Sequence, residues 1–162
     1  MPCEFLIDAD RRLVISRGTG IFRYDDFLEH MEKLGPDPRF RPEFNHLVDT
    51  TRFEAFELTA AQLYDIGSTS LFAATSRRAL VVSSALQFGL GRMFSSIREA
   101  MCGQVTMVFR DVRKATVWLG LPQDYDPSSL GEPTRIGNEG QLFATAHGGG
   151  SVGTPPLPRS SP

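Results

Sequence analysis

Residues 79–109, ALVVSSALQFGLGRMFSSIREAMCGQVTMVF, decide the fold of this chain. The stretch opens with four apolar residues, a pattern typical of a strand that is covered on both faces. A serine at position 83 or 84 then caps a predicted helix that continues to about Met101. A second apolar run at 105–109 follows, so the stretch predicts two parallel strands joined by a helix. The apolar face of that helix is predicted from its spacing to be Leu86, Leu90, Met93, Phe94 and Ile97.

Strands and helices alternate on both sides of this unit. Further strands are predicted at 5–7, 13–15 and 44–48, and further helices at 24–34, after Thr59 and after Asp111. The order β-β-α-β-α-β-α-β-α predicts an α/β fold with a mixed, mostly parallel sheet of about five strands and four helices. The opening pair of strands is predicted to form a hairpin, which gives the sheet an antiparallel edge.

The composition changes after Leu121. Residues 122–162 contain seven Pro and seven Gly, and their apolar residues follow no sustained period. Such a segment buries too little surface to offset its ordering entropy. We therefore expect one domain at 1–121 and a disordered, Gly/Pro-rich tail at 122–162.

Charge and cysteine content exclude several function classes. The net charge of -2 leaves no basic footprint for nucleic acid. Cys3 and Cys102 stand in no Cys/His grouping, so neither a metal site nor a disulfide framework is predicted. No segment reaches the roughly 18 apolar residues of a membrane helix, and residues 1–8 do not resemble a secretory signal. We expect a cytoplasmic protein without a cofactor.

No catalytic constellation is visible, so an enzyme is not expected. Gly18-Thr19-Gly20 lacks the third glycine of a dinucleotide fingerprint, because Arg23 occupies that position. No serine lies in a Gly-x-Ser-x-Gly elbow. His30 is predicted on a charged helix face, and His46, on a strand, is expected to be a hydrogen-bonded structural histidine.

Polar residues follow the predicted strand at 44–48. Asp49 ends that strand at the carboxyl edge, where open α/β sheets place their sites. Thr50, Thr51 and Arg52 come next, and this cluster suits a phosphate or a loop of a partner. Alternatively, Asp49 ties down the following loop by hydrogen bonds to backbone N–H groups. Arg77, Arg78 and Arg92 either join Arg52 in a basic patch or are separate surface charges.

A second candidate site involves the glycines of the long helix. Gly89 and Gly91 allow either close packing or the close approach of a ligand. An apolar ligand would then lie between the second and third helices, and the candidate residues are Phe72, Phe88, Gly89, Gly91 and Arg92. Phe53 and Phe56 are placed in a loop, as core residues or as an apolar contact surface.

Several short motifs follow one another along residues 3–121. They are Leu13-Val14-Ile15 followed by Gly20, Asp37-Pro38-x-Phe40, Leu47-Val48-Asp49, Arg78-Ala79, Phe88-Gly89-Leu90-Gly91-Arg92-Met93-Phe94, Val108-Phe109-Arg110 and Ala115-x-x-Trp118-Leu119-Gly120. Together these motifs resemble the SpoIIAA-like (STAS/SEC14-type) family of small bacterial proteins. The resemblance implies a mixed sheet with helices, but no enzymatic activity.

Anti-sigma-factor antagonists of this fold carry an Asp-Ser-x-Gly motif at the start of the second helix, and a partner kinase phosphorylates that serine. The matching stretch here, residues 56–60 (FELTA), has neither Asp-Ser nor Gly. Thr59 is then a phosphoacceptor or simply the N-cap of the helix, with Gln62 completing a capping box. The resemblance favours a non-catalytic regulatory or signalling module that presents residues 49–52 and Thr59 to a protein partner. The alternative is a sensor or carrier of a small apolar ligand or a nucleotide; the partner and the oligomeric state stay open.

Overall fold

The computed structural model describes residues 3–129. The strands are β1 (Cys3–Asp8), β2 (Leu13–Gly18), β3 (Gly20–Arg23), β4 (Asn45–Asp49), β5 (Phe53–Glu57), β6 (Arg78–Val81) and β7 (Thr106–Phe109). The helices are α1 (Tyr24–Leu34), α2 (Ala60–Ser68), α3 (Ala85–Cys102) and α4 (Val112–Trp118), followed by a short 3₁₀ turn at Pro127–Ser129. No helix among these described residues is long and apolar enough to cross a membrane.

The main sheet has five strands in the order β1-β2-β4-β6-β7. β1 runs antiparallel to β2, and the other neighbours are parallel. This confirms the predicted α/β fold, with its mixed, mostly parallel sheet of five strands, its antiparallel edge and its four helices.

Strand periodicity separates the two faces of this sheet. One face packs against α4 in a wholly apolar core, which contains Leu13, Ile15, Leu47, Ala79, Val81, Ala115 and Leu119. The opposite face carries Val14, where a second cluster includes Leu34 of α1 and the ring of Phe72. Several polar side chains interrupt the apolar pattern on this second face, as described below.

A second, two-stranded sheet was not predicted. β3 and β5 pair in parallel, so the placement of Phe53 and Phe56 in a loop is wrong. The rings of Phe22, Phe53 and Phe56 lie 5.4–5.7 Å apart between centroids, and Phe53 is buried. The two strands are short and far apart in the sequence, so no local turn signal indicates that they pair.

The buried face of α3 also differs from the prediction. Leu86 and Met93 are 75% and 47% exposed, whereas Gln87, Gly91 and Arg98 are buried. A side chain at Gly91 would put its Cβ 2.9 Å from Leu80 Cδ2, so the glycine lets the helix lie close to the sheet. Gln87 turns inward because its Nε2 donates to the Phe53 carbonyl at 3.1 Å.

The domain extends past the predicted boundary at Leu121. Tyr125 packs on the core beside α4, and its hydroxyl donates to Asp8 Oδ2 at 3.3 Å. The Arg11 guanidinium carbon lies 5.2 Å from the centre of the Tyr125 ring. Residues 122–129 therefore belong to the domain, and the remainder of the predicted tail, residues 130–162, lies outside the described residues.

Candidate ligand-binding site

A cavity of about 380 Å³ lies between the second face of the sheet and helices α1, α2 and α3. Its volume falls within the range of small-molecule sites. Thr59, Ala60 and Met93 line it and are exposed, so it opens to the surface beside the first turn of α2. Most of the lining is apolar, and the three helices contribute Phe27, Met31, Leu63, Ile66, Leu90 and Phe94.

One wall of this cavity is polar. Ser16 on β2, His46 on β4 and Arg78 on β6 all line it, although they are only 7%, 5% and 8% exposed. His46 and Arg78 stand opposite each other in the parallel pairing of β4 with β6. His30 reaches the same wall from α1, so the predicted position on a charged helix face is wrong. We call Ser16, His30, His46 and Arg78 the polar wall.

Ser16 connects the two histidines. Its Oγ lies 2.7 Å from His46 Nε2 and 3.1 Å from His30 Nε2. A hydroxyl can donate to one imidazole and accept from the other. The His46 ring also stacks on Phe72, with 4.5 Å between centroids, and its Nδ1 is buried without a hydrogen-bond partner in residues 3–129. The predicted structural role of His46 thus accounts for one of its two ring nitrogens.

Both histidines are neutral at pH 7. Burial, and then the charge of Arg78, lower the pKa of His30 to about 4. The same two causes, with smaller contributions from His30 and Arg98, hold the pKa of His46 well below its ordinary value of 6.5. Burial, and then the charge of Arg98, also hold the pKa of Arg78 well below its ordinary value of 12.5. Arg78 is nevertheless the charged member of the polar wall, because a guanidinium stays protonated in proteins.

The Arg78 guanidinium has aromatic neighbours but no anionic one. Its carbon lies 5.3 Å from the centre of the Phe72 ring and 5.7 Å from that of Phe94. Across the described chain it makes no hydrogen bond and no ion pair, and its Nε is fully buried. The carboxylate of Asp49 also lines the cavity but lies three residues along β4 from His46, roughly 10 Å of strand. A buried charge without a partner is costly, and this one faces the cavity.

Arg98, the other buried arginine, donates hydrogen bonds from both terminal amino groups, while its Nε is buried without a partner among residues 3–129. Its NH2 group donates to the carbonyls of Ile66 and Thr69, each at 2.6 Å, at the C-terminal end of α2. Its NH1 group donates to Gln104 Oε1 at 3.4 Å. Sequence reasoning missed this residue, which holds two helices together at the end of the cavity.

Only two of the five residues predicted for a ligand pocket lie on the cavity. Phe72 and Gly91 line it. Phe88 packs instead under Arg110, whose guanidinium carbon lies 5.3 Å from the ring centre, and Gly89 and Arg92 are exposed. The cavity also extends from α2 and α3 as far as α1, beyond the space between the second and third helices.

The predicted partner-binding residues make local hydrogen bonds. Asp49 Oδ1 accepts from the Thr51 backbone N–H at 2.9 Å and from its hydroxyl at 2.6 Å, while the Thr50 hydroxyl donates to the Val81 carbonyl. Thr59 caps α2 and forms the predicted capping box with Gln62. Asp49, Thr50 and Thr59 also line the cavity, whereas Arg52 is exposed. Their role toward a partner stays a prediction.

The predicted basic patch does not form. Arg77 lies over Trp118 of α4, with 5.8 Å between its guanidinium carbon and the ring centre. Arg78, the next residue, points to the opposite face of the sheet and lines the cavity. Arg92 is on the exposed side of α3. Arg78 therefore lines the cavity, whereas Arg77 and Arg92 do not.

Comparisons with known proteins give a likeness in fold. The structure is similar to the crystal structure of an uncharacterized protein from the DUF3478 family with a SpoIIAA-like fold, from Shewanella loihica PV-4. The two share 22% sequence identity and a TM-score of 0.49, over 72% of this chain and 91% of that one. No family model and no curated protein matches this chain.

The low pKa of His30 predicts a loss of stability in acid. The folded state holds the pKa near 4, below the ordinary value of 6.5, so the unfolded chain takes up the proton first as the pH falls. The contribution of His30 is complete above about pH 6.5 and is lost progressively toward pH 4, by about 2–3 kcal/mol.

Urea unfolding of wild type and His30→Gln at pH 7.5 and pH 4.5 measures this contribution. We expect the wild type to lose more free energy of unfolding than the variant between the two pH values, since groups common to both cancel in the comparison. Equal losses in the two proteins would contradict a His30 that stays neutral in the folded state.

Proposed function

We propose that this chain is a non-catalytic binding protein, a sensor or carrier that holds a small apolar molecule in the cavity. The observation that supports this most is a solvent-connected cavity of about 380 Å³ with a mainly apolar lining. Protein cores are normally close-packed, so an apolar cavity of this size is an exception among protein interiors. An apolar molecule bound there would make dispersion contacts with the lining and remove its own surface from water.

The contact between Ser16 and His46 suggests hydrolysis as an alternative function, since a nucleophile and a base lie within hydrogen-bond distance there. Two features favour binding instead. His46 Nδ1 has no orienting partner among residues 3–129. Burial and Arg78 also disfavour the imidazolium that would form when His46 accepts a proton.

The predicted regulatory role and the proposed ligand binding share one residue, Thr59. This residue caps α2 and also lines the cavity where it opens to the surface. A partner that contacts the first turn of α2 would therefore touch the rim of the ligand site. The protein-interaction hypothesis and the ligand hypothesis are then compatible, and both describe a sensor.

Filling the cavity should weaken binding of an apolar probe. We expect wild-type protein to bind 1-decanol in isothermal titration calorimetry with a negative heat-capacity change, as burial of apolar surface requires. Leu63→Trp puts a larger side chain on the cavity-facing side of α2 and should weaken that binding about tenfold or more, the equivalent of about 1.4 kcal/mol.

Tyr64→Trp is the matched control, because Tyr64 is the next residue of α2, is exposed and does not line the cavity. Its affinity for 1-decanol should equal that of the wild type. The proposed function fails if wild-type protein, stripped of copurified lipid, binds no apolar probe, or if both tryptophan variants weaken binding equally.

A further inference from the structure

The polar wall indicates which end group the apolar ligand of the proposed function carries. We infer that the ligand is an apolar monocarboxylate and that its carboxylate is held by Arg78 beside Ser16 and His46. This inference rests on the proposed function, since it concerns the head of the molecule whose apolar part fills the cavity.

The first argument is the charge balance of the three arginines that line the cavity. Arg98 donates to two backbone carbonyls at 2.6 Å. Arg17, which also lines the cavity, pairs with Glu4 at 2.5 Å. Arg78 has the fewest hydrogen-bond partners of the three, because nothing in the described chain accepts a hydrogen bond from its guanidinium. An anion supplied from outside would balance it.

The second argument concerns the kind of anion. The neutral histidines leave a single positive charge on the polar wall, which suits one negative charge. A guanidinium presents parallel N–H groups that match the two oxygens of a carboxylate. His46 Nδ1 is a second buried atom without a partner on the same wall, and it can donate a hydrogen bond when Nε2 accepts from Ser16.

The third argument is the division of the cavity. The strands contribute Ser16, His46 and Arg78, whereas the helices contribute mainly apolar side chains such as Phe27, Leu63 and Leu90. The polar exceptions on the helices include His30 of the polar wall, and Gln87 and Arg98, which donate to backbone carbonyls of the fold. A molecule with one charged end and an apolar body fits this division, with its head against β4 and β6. A ligand with charges at both ends would bury one of them among apolar side chains at high cost.

Three probes with the same ten-carbon tail test the assignment: decanoate, 1-decanol and decylammonium. Binding is measured by calorimetry on delipidated wild type, Arg78→Met, Arg78→Lys and the control Arg92→Met, whose arginine is exposed on α3. Wild type should bind decanoate about tenfold or more tightly than 1-decanol, since hydrogen bonds between charged groups are stronger than those between neutral groups. It should bind decylammonium most weakly.

Arg78→Met should lose about 10- to 100-fold in affinity for decanoate and keep its affinity for 1-decanol. Arg78→Lys should retain part of the preference because it keeps the charge but not the two-pronged geometry. Arg92→Met should behave as the wild type. Without ligand, Arg78→Met should unfold at a urea concentration no lower than that of the wild type, since the variant removes an unpaired buried charge.

The outcomes separate this inference from the function on which it rests. Equal binding of decanoate and 1-decanol by the wild type overturns the carboxylate assignment and leaves the apolar site standing. Unchanged decanoate affinity in Arg78→Met, or a ligand-free Arg78→Met that is much less stable than wild type, shows that Arg78 is not the headgroup residue. If none of the three probes binds, the proposed function itself has failed.

Discussion

Arg98→Met is expected to lower the free energy of unfolding by about 3 kcal/mol, because it leaves several buried acceptors unpaired at about 1–3 kcal/mol each. The acceptors are the carbonyls of Ile66 and Thr69 at the end of α2, and the Gln104 side chain. α2 has no basic residue in its own last turn, so Arg98 of α3 also supplies the positive charge that a helix C-terminus favours. Urea unfolding at neutral pH measures the loss.

Arg92→Met is the control for this variant. Arg92 lies on the same helix but is exposed and makes no ion pair within the described residues, so its replacement should change the free energy of unfolding by less than about 0.5 kcal/mol. If Arg98→Met and Arg92→Met unfold at the same urea concentration, the capping role of Arg98 is refuted.

The two buried arginines are therefore expected to respond in opposite ways. The terminal amino groups of Arg98 have three acceptors in the native fold, so the removal of Arg98 should destabilise the ligand-free protein. Within residues 3–129 the native fold provides no acceptor for the Arg78 guanidinium, so Arg78→Met should leave stability intact and impair binding instead. This contrast is typical of a site residue that is retained at some expense of stability. Measuring the stability and the ligand binding of both variants distinguishes a residue that stabilises the fold from a residue that binds the ligand.

The order of strands and helices was predictable because it depends on short-range patterns. The apolar run at 79–82 and the capping box of Thr59 and Gln62 are both complete within a few residues. The parallel sheet then follows from general rules of connection. The pairing of β3 with β5 was not predictable in this way, because neither short strand contains a signal for its distant partner.

The polar wall was hidden from sequence reasoning for a different reason. Arginines are expected on the surface by default, and so is a histidine among acidic neighbours. Arg78 and His30 are such residues. A usable signal existed in the period of two: His46 shares a strand face with Val48, and Arg78 shares one with Leu80. Only the register of β4 against β6 shows that these two polar residues are neighbours.

Gly67→Ala is expected to lower the free energy of unfolding by about 2 kcal/mol, within the range of about 1–3 kcal/mol typical of overpacking. The new Cβ would lie 2.6 Å from Cγ2 and 3.0 Å from Cβ of Ile97 on α3. The β-branched isoleucine cannot swing away without moving its helix, so α2 and α3 must separate. Chemical unfolding of the variant gives the size of the effect.

Gly89→Ala is the matched control, since this second helical glycine has nothing within 4 Å of its added Cβ. Alanine there should raise the free energy of unfolding by about 0.5–1 kcal/mol through helix propensity alone. The close contact at Gly67 is refuted if both alanine variants stabilise the protein. The opposite signs of the two changes in the free energy of unfolding distinguish a close contact between helices from an effect of helix propensity.

The same contact should couple Gly67 to Arg98. Ile97 and Arg98 are adjacent on α3, so a helix pushed away by the methyl group added at position 67 also carries the guanidinium away from the carbonyls of Ile66 and Thr69. The double variant Gly67→Ala/Arg98→Met should then lose about 1 kcal/mol less than the sum of the single losses, as expected for residues that share one interface. Strict additivity in this double-mutant cycle would show that the helix spacing and the arginine cap act independently.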